Sequence, residues 1–156
     1  MLLIHRPGQE PLEIEFLLVN FEGTLATDRR VHPKAKDKLN LLSKRLKIYI
    51  LAKGEQEIVR EILRKVKADV LYSTEGKASQ GKLDLLRQLG AAKTVSIGNG
   101  LDDVAMIEEA GFGICIIGKE GASAEAVRKA DAVFIDILDA FDFLLKPLRH
   151  QATLGI

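Results

Sequence analysis

Short, continuous apolar runs alternate along this chain with longer stretches in which apolar residues recur at helical spacing. A short run without polar breaks predicts a strand buried on both faces, as in a parallel sheet. The opening differs. Residues 2–5 and 13–19 are apolar-rich and joined across Pro7-Gly8, a turn dipeptide, which predicts a hairpin. The second run begins by alternation (Leu12, Ile14, Phe16) and becomes continuous at Leu17-Leu18-Val19. It stops at the polar stretch Asn20-Phe21-Glu22-Gly23-Thr24.

Helical and strand periods then take turns. Residues 33–46 read as a helix with Pro33 in its first turn and Leu39, Leu42 and Leu46 on one face. Residues 47–52 are a buried strand. Residues 55–67 are amphipathic, with Ile58, Ile62, Leu63 and Val66 as the inner stripe. Residues 68–72 form a strand, and 78–89 a helix stopped by Gly90. A strand at 93–97 ends in Gly98-Asn99-Gly100, followed by a helix at 101–110. A strand at 113–117, a helix at 122–129, a strand at 132–135 and a helix at 138–145 complete the pattern.

This order predicts an α/β fold: a three-layer, doubly wound, mostly parallel sheet with helices on both faces and an N-terminal β-hairpin. Residues 1–156 are expected to form a single domain, without internal repeat or linker. Ligands of such sheets sit beyond the carboxyl ends of the strands, which directs attention to loops 20–24, 52–54, 73–82 and 98–103.

Composition narrows the function classes. Hydrophobic residues make up 47% of the 156, enough for a sizeable core, and the absence of tryptophan means Leu, Ile, Val and Ala build it. A formal net charge of +1 gives no electrostatic case for nucleic acid or an acidic membrane. No apolar stretch approaches the ~20 residues a membrane span needs, and the start lacks a signal-peptide pattern, so the cytoplasm is the expected location. The single cysteine, Cys115, excludes an internal disulfide and lies in the apolar run GICIIG, where a buried, inert thiol is expected. His5, His32 and His150 have no metal-like spacing.

The strand-end loops hold the candidate chemistry: Asn20, Glu22 and Thr24; Lys53-Gly54; Lys82; and Gly98-Asn99-Gly100-Leu101-Asp102-Asp103. Backbone N–H groups at such loops suit anions, and clustered carboxylates beside a lysine suit magnesium and a phosphoryl group. In this arrangement LLVNFEGTLATD resembles the first motif of the haloacid-dehalogenase-like (HAD) superfamily, Asp-x-Asp-Gly-Thr-Leu after an apolar strand. IYILAKG resembles the second, and Lys82, placed before Gly90, the third-motif lysine. VSIGNGLDDVAMIEEAGFGICIIG resembles the fourth, Gly-Asp-Gly-x-Asn-Asp. The likeness covers nearly the whole chain. Its ending, DAVFIDILDAFDFLLKPLRHQATL, is similar to a group of soluble P-type-ATPase-like HAD proteins.

The resemblance implies a Rossmannoid HAD hydrolase, a magnesium-dependent phosphatase acting on a small phosphate ester or binding free phosphate. It assigns catalytic positions to Asn20, Glu22 and Lys82. Phosphate-binding positions fall on Gly23, Thr24, Ala52, Lys53 and Lys82, and metal positions on Asn20, Glu22, Asn99 and Asp103. Several residue types depart from the motifs. Asn20 stands where relatives have the nucleophilic Asp, and a carboxamide has no anionic oxygen with which to form an aspartyl-phosphate. Its bland alternative is a loop residue bonding its own turn. Glu22 keeps the acid/base carboxylate one methylene longer; the alternative is a solvated loop Glu. Ala52 lacks the second-motif hydroxyl. Lys53 has the alternative of a solvated loop charge, and Lys82 that of an exposed helix lysine, with Lys77 as local competitor. Asn99 is a metal position without its charge, and Asp102 or Asp103 can also serve as a helix cap.

Fewer anionic ligands predict a weakened magnesium affinity and a degenerate active site. The alternative function is therefore a non-catalytic phosphate-binding or interaction protein on the same fold. A receiver-type signalling domain is disfavoured, because ADVLYS lacks a phosphoacceptor Asp. The interval between Thr24 and Pro33 leaves no room for a cap domain. Capless relatives often cover the site with a neighbour, so a homo-oligomer, for instance a tetramer, is expected, with the N-terminal hairpin as a candidate contact.

Overall fold

The computed structural model describes residues 1–73 and 76–155. Its strands are β1 (Leu2–Ile4), β2 (Leu12–Ile14), β3 (Phe16–Asn20), β4 (Lys47–Ala52), β5 (Asp69–Tyr72), β6 (Thr94–Gly98), β7 (Phe112–Ile116) and β8 (Ala132–Phe134). Its helices are α1 (Pro33–Leu42), α2 (Gln56–Ile62), α3 (Ala78–Leu89), α4 (Val104–Glu109), α5 (Ala124–Lys129), α6 (Ile137–Leu145) and α7 (Leu148–Leu154). Strands β3 to β8 form one parallel sheet in the order β5-β4-β3-β6-β7-β8, and β1 and β2 form an antiparallel hairpin. The α/β class, the parallel sheet and the hairpin agree with the sequence pattern. The chain winds outward from β3 through β4 to β5, then returns to β6 on the other side of β3. The carboxyl ends of β3 and β6 therefore face one another at the reversal, the usual ligand crevice of such sheets.

Alternation along β3 explains the two cores. Leu17 and Val19 face one side of the sheet, where they join a large cluster with Leu39 and Leu42 of α1 and Phe141 and Phe143 of α6. Leu18 faces the other side, packing with Leu51, Leu86 of α3 and Met106 of α4. Each fully buried side chain of this size contributes roughly 1.5–3 kcal/mol. The parity also decides where the site lies. Asn20 follows Leu18 on the α3 side, and Lys82 precedes Leu86 by one turn of α3.

Several expected boundaries move, each for a local reason. The run 13–19 divides at Glu15, whose N–H donates to Lys93 O (2.8 Å) and whose carbonyl accepts from Lys47 N–H (3.0 Å). There the chain leaves the hairpin for the main sheet. Helix α1 stops at Leu42, not 46, where the Ser43 hydroxyl donates to Asn40 O (2.6 Å), competing with the helical pattern. Helix α2 ends at Ile62, not 67. The Asn40 carboxamide bonds Lys65 O (3.1 Å) and Lys67 N–H (2.8 Å), holding that segment in a non-helical path. Its inner stripe is led by Val59 and Leu63, whereas Ile58 is 39% exposed. Residues Leu101–Asp103 are a 3-10 turn before α4. Helix α7 was not anticipated. Of the expected loop 73–82, residues 78–82 belong to α3, and 74 and 75 lie outside the described residues. Among the described residues no helix is long and apolar enough to cross a membrane.

Candidate functional site

Asn20 closes β3 with its side chain 4% exposed. Its Oδ1 accepts a hydrogen bond from Lys82 Nζ (3.0 Å). That bond orients the amide, because an ammonium has only donors. The Nδ2 group is thereby turned toward oxygen: it donates to Glu22 O (2.7 Å), Thr24 Oγ1 (3.2 Å) and Asn99 Oδ1 (3.2 Å). Thr24 Oγ1 donates to the same Asn99 Oδ1 (2.9 Å), and Asn99 Nδ2 donates to Gly121 O (3.1 Å). Gly23, between these groups, has φ +78° and lies so close that a Cβ would fall 2.5 Å from Asn99 Nδ2.

Lys82 is 3% exposed and pairs with Asp103, itself fully buried, at 2.6 Å. The other oxygen of Asp103 accepts the backbone N–H groups of Asn99 and Gly100, each at 3.0 Å. Asp103, not Asp102, therefore ties down the loop after β6. Gly98 makes this possible, since a Cβ there would lie 2.5 Å from Asp103 Cβ. Asp102 instead contacts Lys53 and lies 3.6 Å from Lys82. Burial pulls the Asp102 carboxyl upward, but Lys53 and Lys82 outweigh it and hold the group below its ordinary value. Lys77, the competitor of Lys82, is exposed at the start of α3.

Glu22 points away from this cluster. Its carboxylate accepts Lys53 N–H (3.1 Å to each oxygen) and Gly54 N–H (3.0 Å), so it lies on the backbone donors at the end of β4. Ala52 is buried there and offers only a methyl group. Two clefts share Lys53, and one of them is also lined by Glu22. One, of about 390 Å³, has an apolar wall of Phe21, Ile58 and Val59 and a rim that includes Arg29 and Glu120. The other, of about 580 Å³, is lined by Lys53, Ser73, Ser79, Leu101 and Asp102. Arg29 was not singled out from sequence. It sits at φ +63° beside Asp28 at φ +51° in a two-residue turn closed by Thr27 and Arg30, and Asp28 N–H donates to Glu120 (3.2 Å). No sequence motif marks that turn.

The histidines and cysteine lie outside the cluster's hydrogen bonds. His32 caps α1, accepting Lys34 N–H at 3.0 Å. His150 is 1% exposed, against Phe143. Cys115 is buried, and burial, with Asp103 nearby, pushes its thiol up to about 11, which makes it an inert core residue.

The comparisons place this geometry. No family model matches the chain. An uncharacterized protein of Methanocaldococcus jannaschii is 39% identical over 82 residues, 50% of this chain and 88% of that protein. The chain belongs to one family with that protein. Phospholipid-transporting ATPase IC of Xenopus tropicalis is 31% identical over 121 residues, 77% of this chain; the chain spans 10% of that protein's length. Among solved structures, 3-deoxy-D-manno-octulosonate 8-phosphate phosphatase of Moraxella catarrhalis, complexed with magnesium, phosphate and KDO, superposes with a TM-score of 0.73 at 14% identity. The match covers 92% of this chain and 93% of that one. The fold is that of the HAD phosphatases.

A HAD fold raises the question of magnesium, which takes six hard oxygens at about 2.0–2.1 Å with one or two carboxylates. The residues present do not fit it. Of Asn20, Glu22, Asn99 and Asp103, two carry charge, and these two face apart. Glu22 lies on the β4 donors, and Asp103 has one oxygen on Lys82 and the other on two N–H groups. The oxygens that do converge, Glu22 O, Thr24 Oγ1 and Asn99 Oδ1, converge on the N–H bonds of Asn20. Among the described residues no group of three His, Cys, Asp or Glu is arranged to hold a metal.

Proposed function

We propose that this chain is a HAD-fold phosphate-binding protein that takes free phosphate or a small phosphate ester and does not turn it over through an aspartyl-phosphate. Asn20 carries this reading. At the strand end where the HAD resemblance expects the nucleophile stands a neutral carboxamide, its oxygen engaged by Lys82 and its nitrogen engaged by three oxygens. Such a group has neither the charge nor a free oxygen to attack phosphorus. The methyl of Ala52 removes a further donor. The N–H groups of Lys53 and Gly54, with the Lys53 ammonium half-exposed beside them, supply an anion-binding surface without supplying a reaction.

Calorimetric titration with inorganic phosphate, paired with a phosphomonoester hydrolysis assay, tests the reading. Saturable phosphate binding with no turnover above a Glu22→Gln control is the expected result. Absence of phosphate binding overturns it. The second reading is a magnesium-dependent HAD phosphohydrolase. It is favoured by the convergence of Lys82, Asp103 and Thr24 around the end of β3. Turnover abolished by Glu22→Gln establishes that reading instead. Under either reading the chain is expected to work as a homo-oligomer in which a neighbour covers the cleft beside Glu22. A monomer mass in light scattering removes that expectation.

A further inference from the structure

Five oxygen atoms and two nitrogen atoms meet between β3 and β6, and the described donors and acceptors close on each other. The Lys82 ammonium spans Asn20 Oδ1 (3.0 Å) and Asp103 Oδ1 (2.6 Å). One bond away, the Asn20 Nδ2 group spans Glu22 O, Thr24 Oγ1 and Asn99 Oδ1. A backbone carbonyl and a side-chain amide oxygen brought this close repel each other unless something positive lies between them. Here the positive partner is the pair of amide hydrogens of Asn20. Their direction is not free. Rotating the carboxamide by half a turn sets N–H against the Lys82 ammonium and oxygen against Glu22 O and Asn99 Oδ1, losing the bonds to all three.

We propose that the Asn20 carboxamide stands in for a divalent cation, so that this site is assembled by the protein's own donors and takes no metal. The Nδ2 group performs the gathering role, holding the β3 loop to the β6 loop through Asn99, while Lys82 neutralises the fully buried carboxylate of Asp103. Asn20→Asp reverses the arrangement. It replaces the donor by an anionic oxygen facing Glu22 O and Asn99 Oδ1, which leaves three oxygens unbridged and creates the point of negative potential that a hard cation fills.

Magnesium titrations of the wild-type chain and Asn20→Asp, read by thermal unfolding and by calorimetry at constant ionic strength, test this. The wild-type chain is expected to give no saturable heat and an unchanged Tm in magnesium or chelator. Asn20→Asp is expected to have a lower Tm in chelator and to recover it saturably with magnesium, because a ligand of the folded state alone stabilises it. Saturable magnesium binding by the wild-type chain overturns the proposal, and so does a folded Asn20→Asp protein indifferent to magnesium. Asn20→Leu is the second variant. It removes the donor without supplying an anionic oxygen, so its Tm is expected to fall and to stay indifferent to magnesium; recovery in magnesium also overturns the proposal. Phosphate binding by the wild-type chain is measured separately, so the two readings fail independently.

Discussion

The Nζ atom of Lys82 lies 2.6 Å from Oδ1 of Asp103, with the lysine 3% exposed and the aspartate fully buried. Breaking such a pair strands a charge in the interior, at a cost of about 3–5 kcal/mol, whereas removing both charges costs far less than the sum. Lys82→Met and Asp103→Asn are each expected to lower the urea midpoint strongly. The double variant is expected to recover a large part of the loss. Additive losses in a double-mutant cycle contradict this.

Glu22 occupies the N–H groups of Lys53 and Gly54 with its own carboxylate. Under the phosphate-binding reading, an arriving anion displaces it, and that exchange weakens binding. Glu22→Ala is expected to tighten inorganic phosphate roughly tenfold, equivalent to about 1.4 kcal/mol. Weaker binding in the variant shows that Glu22 supports the site.

Two glycines separate space from conformation. Gly98→Ala sets a Cβ 2.5 Å from the Asp103 side chain, which is itself locked by Lys82 and two N–H groups. A loss of about 1–3 kcal/mol is expected in chemical denaturation. Gly81, inside α3, has nothing within 4 Å of an added Cβ, and Gly81→Ala is expected to stabilise the chain by about 0.5–1 kcal/mol.

Burial holds His150 below its ordinary value; its bond to Phe143 O (2.9 Å) opposes this in part, and His5 adds to the depression. In the folded state the ring stays neutral where the unfolded chain has begun to bind a proton. Its contribution is therefore complete above about pH 6.5 and is lost as pH falls from there through the lower folded value. Denaturation midpoints are expected to fall over that window, and the slope is expected to diminish in His150→Leu.

Much of the fold was legible because it is local. An apolar run such as Leu17-Leu18-Val19 can be buried on both faces only inside a sheet, and the spacing of Leu39 and Leu42 suits only a helix with one covered side. Those patterns determined the class, the hairpin, the order of elements as far as α6 and which loops share the carboxyl edge. They put Lys82 and Asp103 among the polar residues at that edge, and the HAD resemblance, not the pattern, singled them out. What they left open was where each polar side chain turns. The β2–β3 division at Glu15 needed a second strand and Lys93 to define it. The burial of His150 needed Phe143 beneath it. The bond between Asn20 and Asn99 joins residues 79 apart in the chain, and its direction is dictated by an ammonium on a third element. Glu22 faces β4, not the cluster, because the N–H groups of Lys53 and Gly54 lie within its reach. Residue type and period are properties of the chain itself and determined the scaffold and the list of polar residues at its edge. The partner of a donor or an acceptor is a property of space, and the packing of β3, β6 and α3 against one another brought these residues within bonding distance.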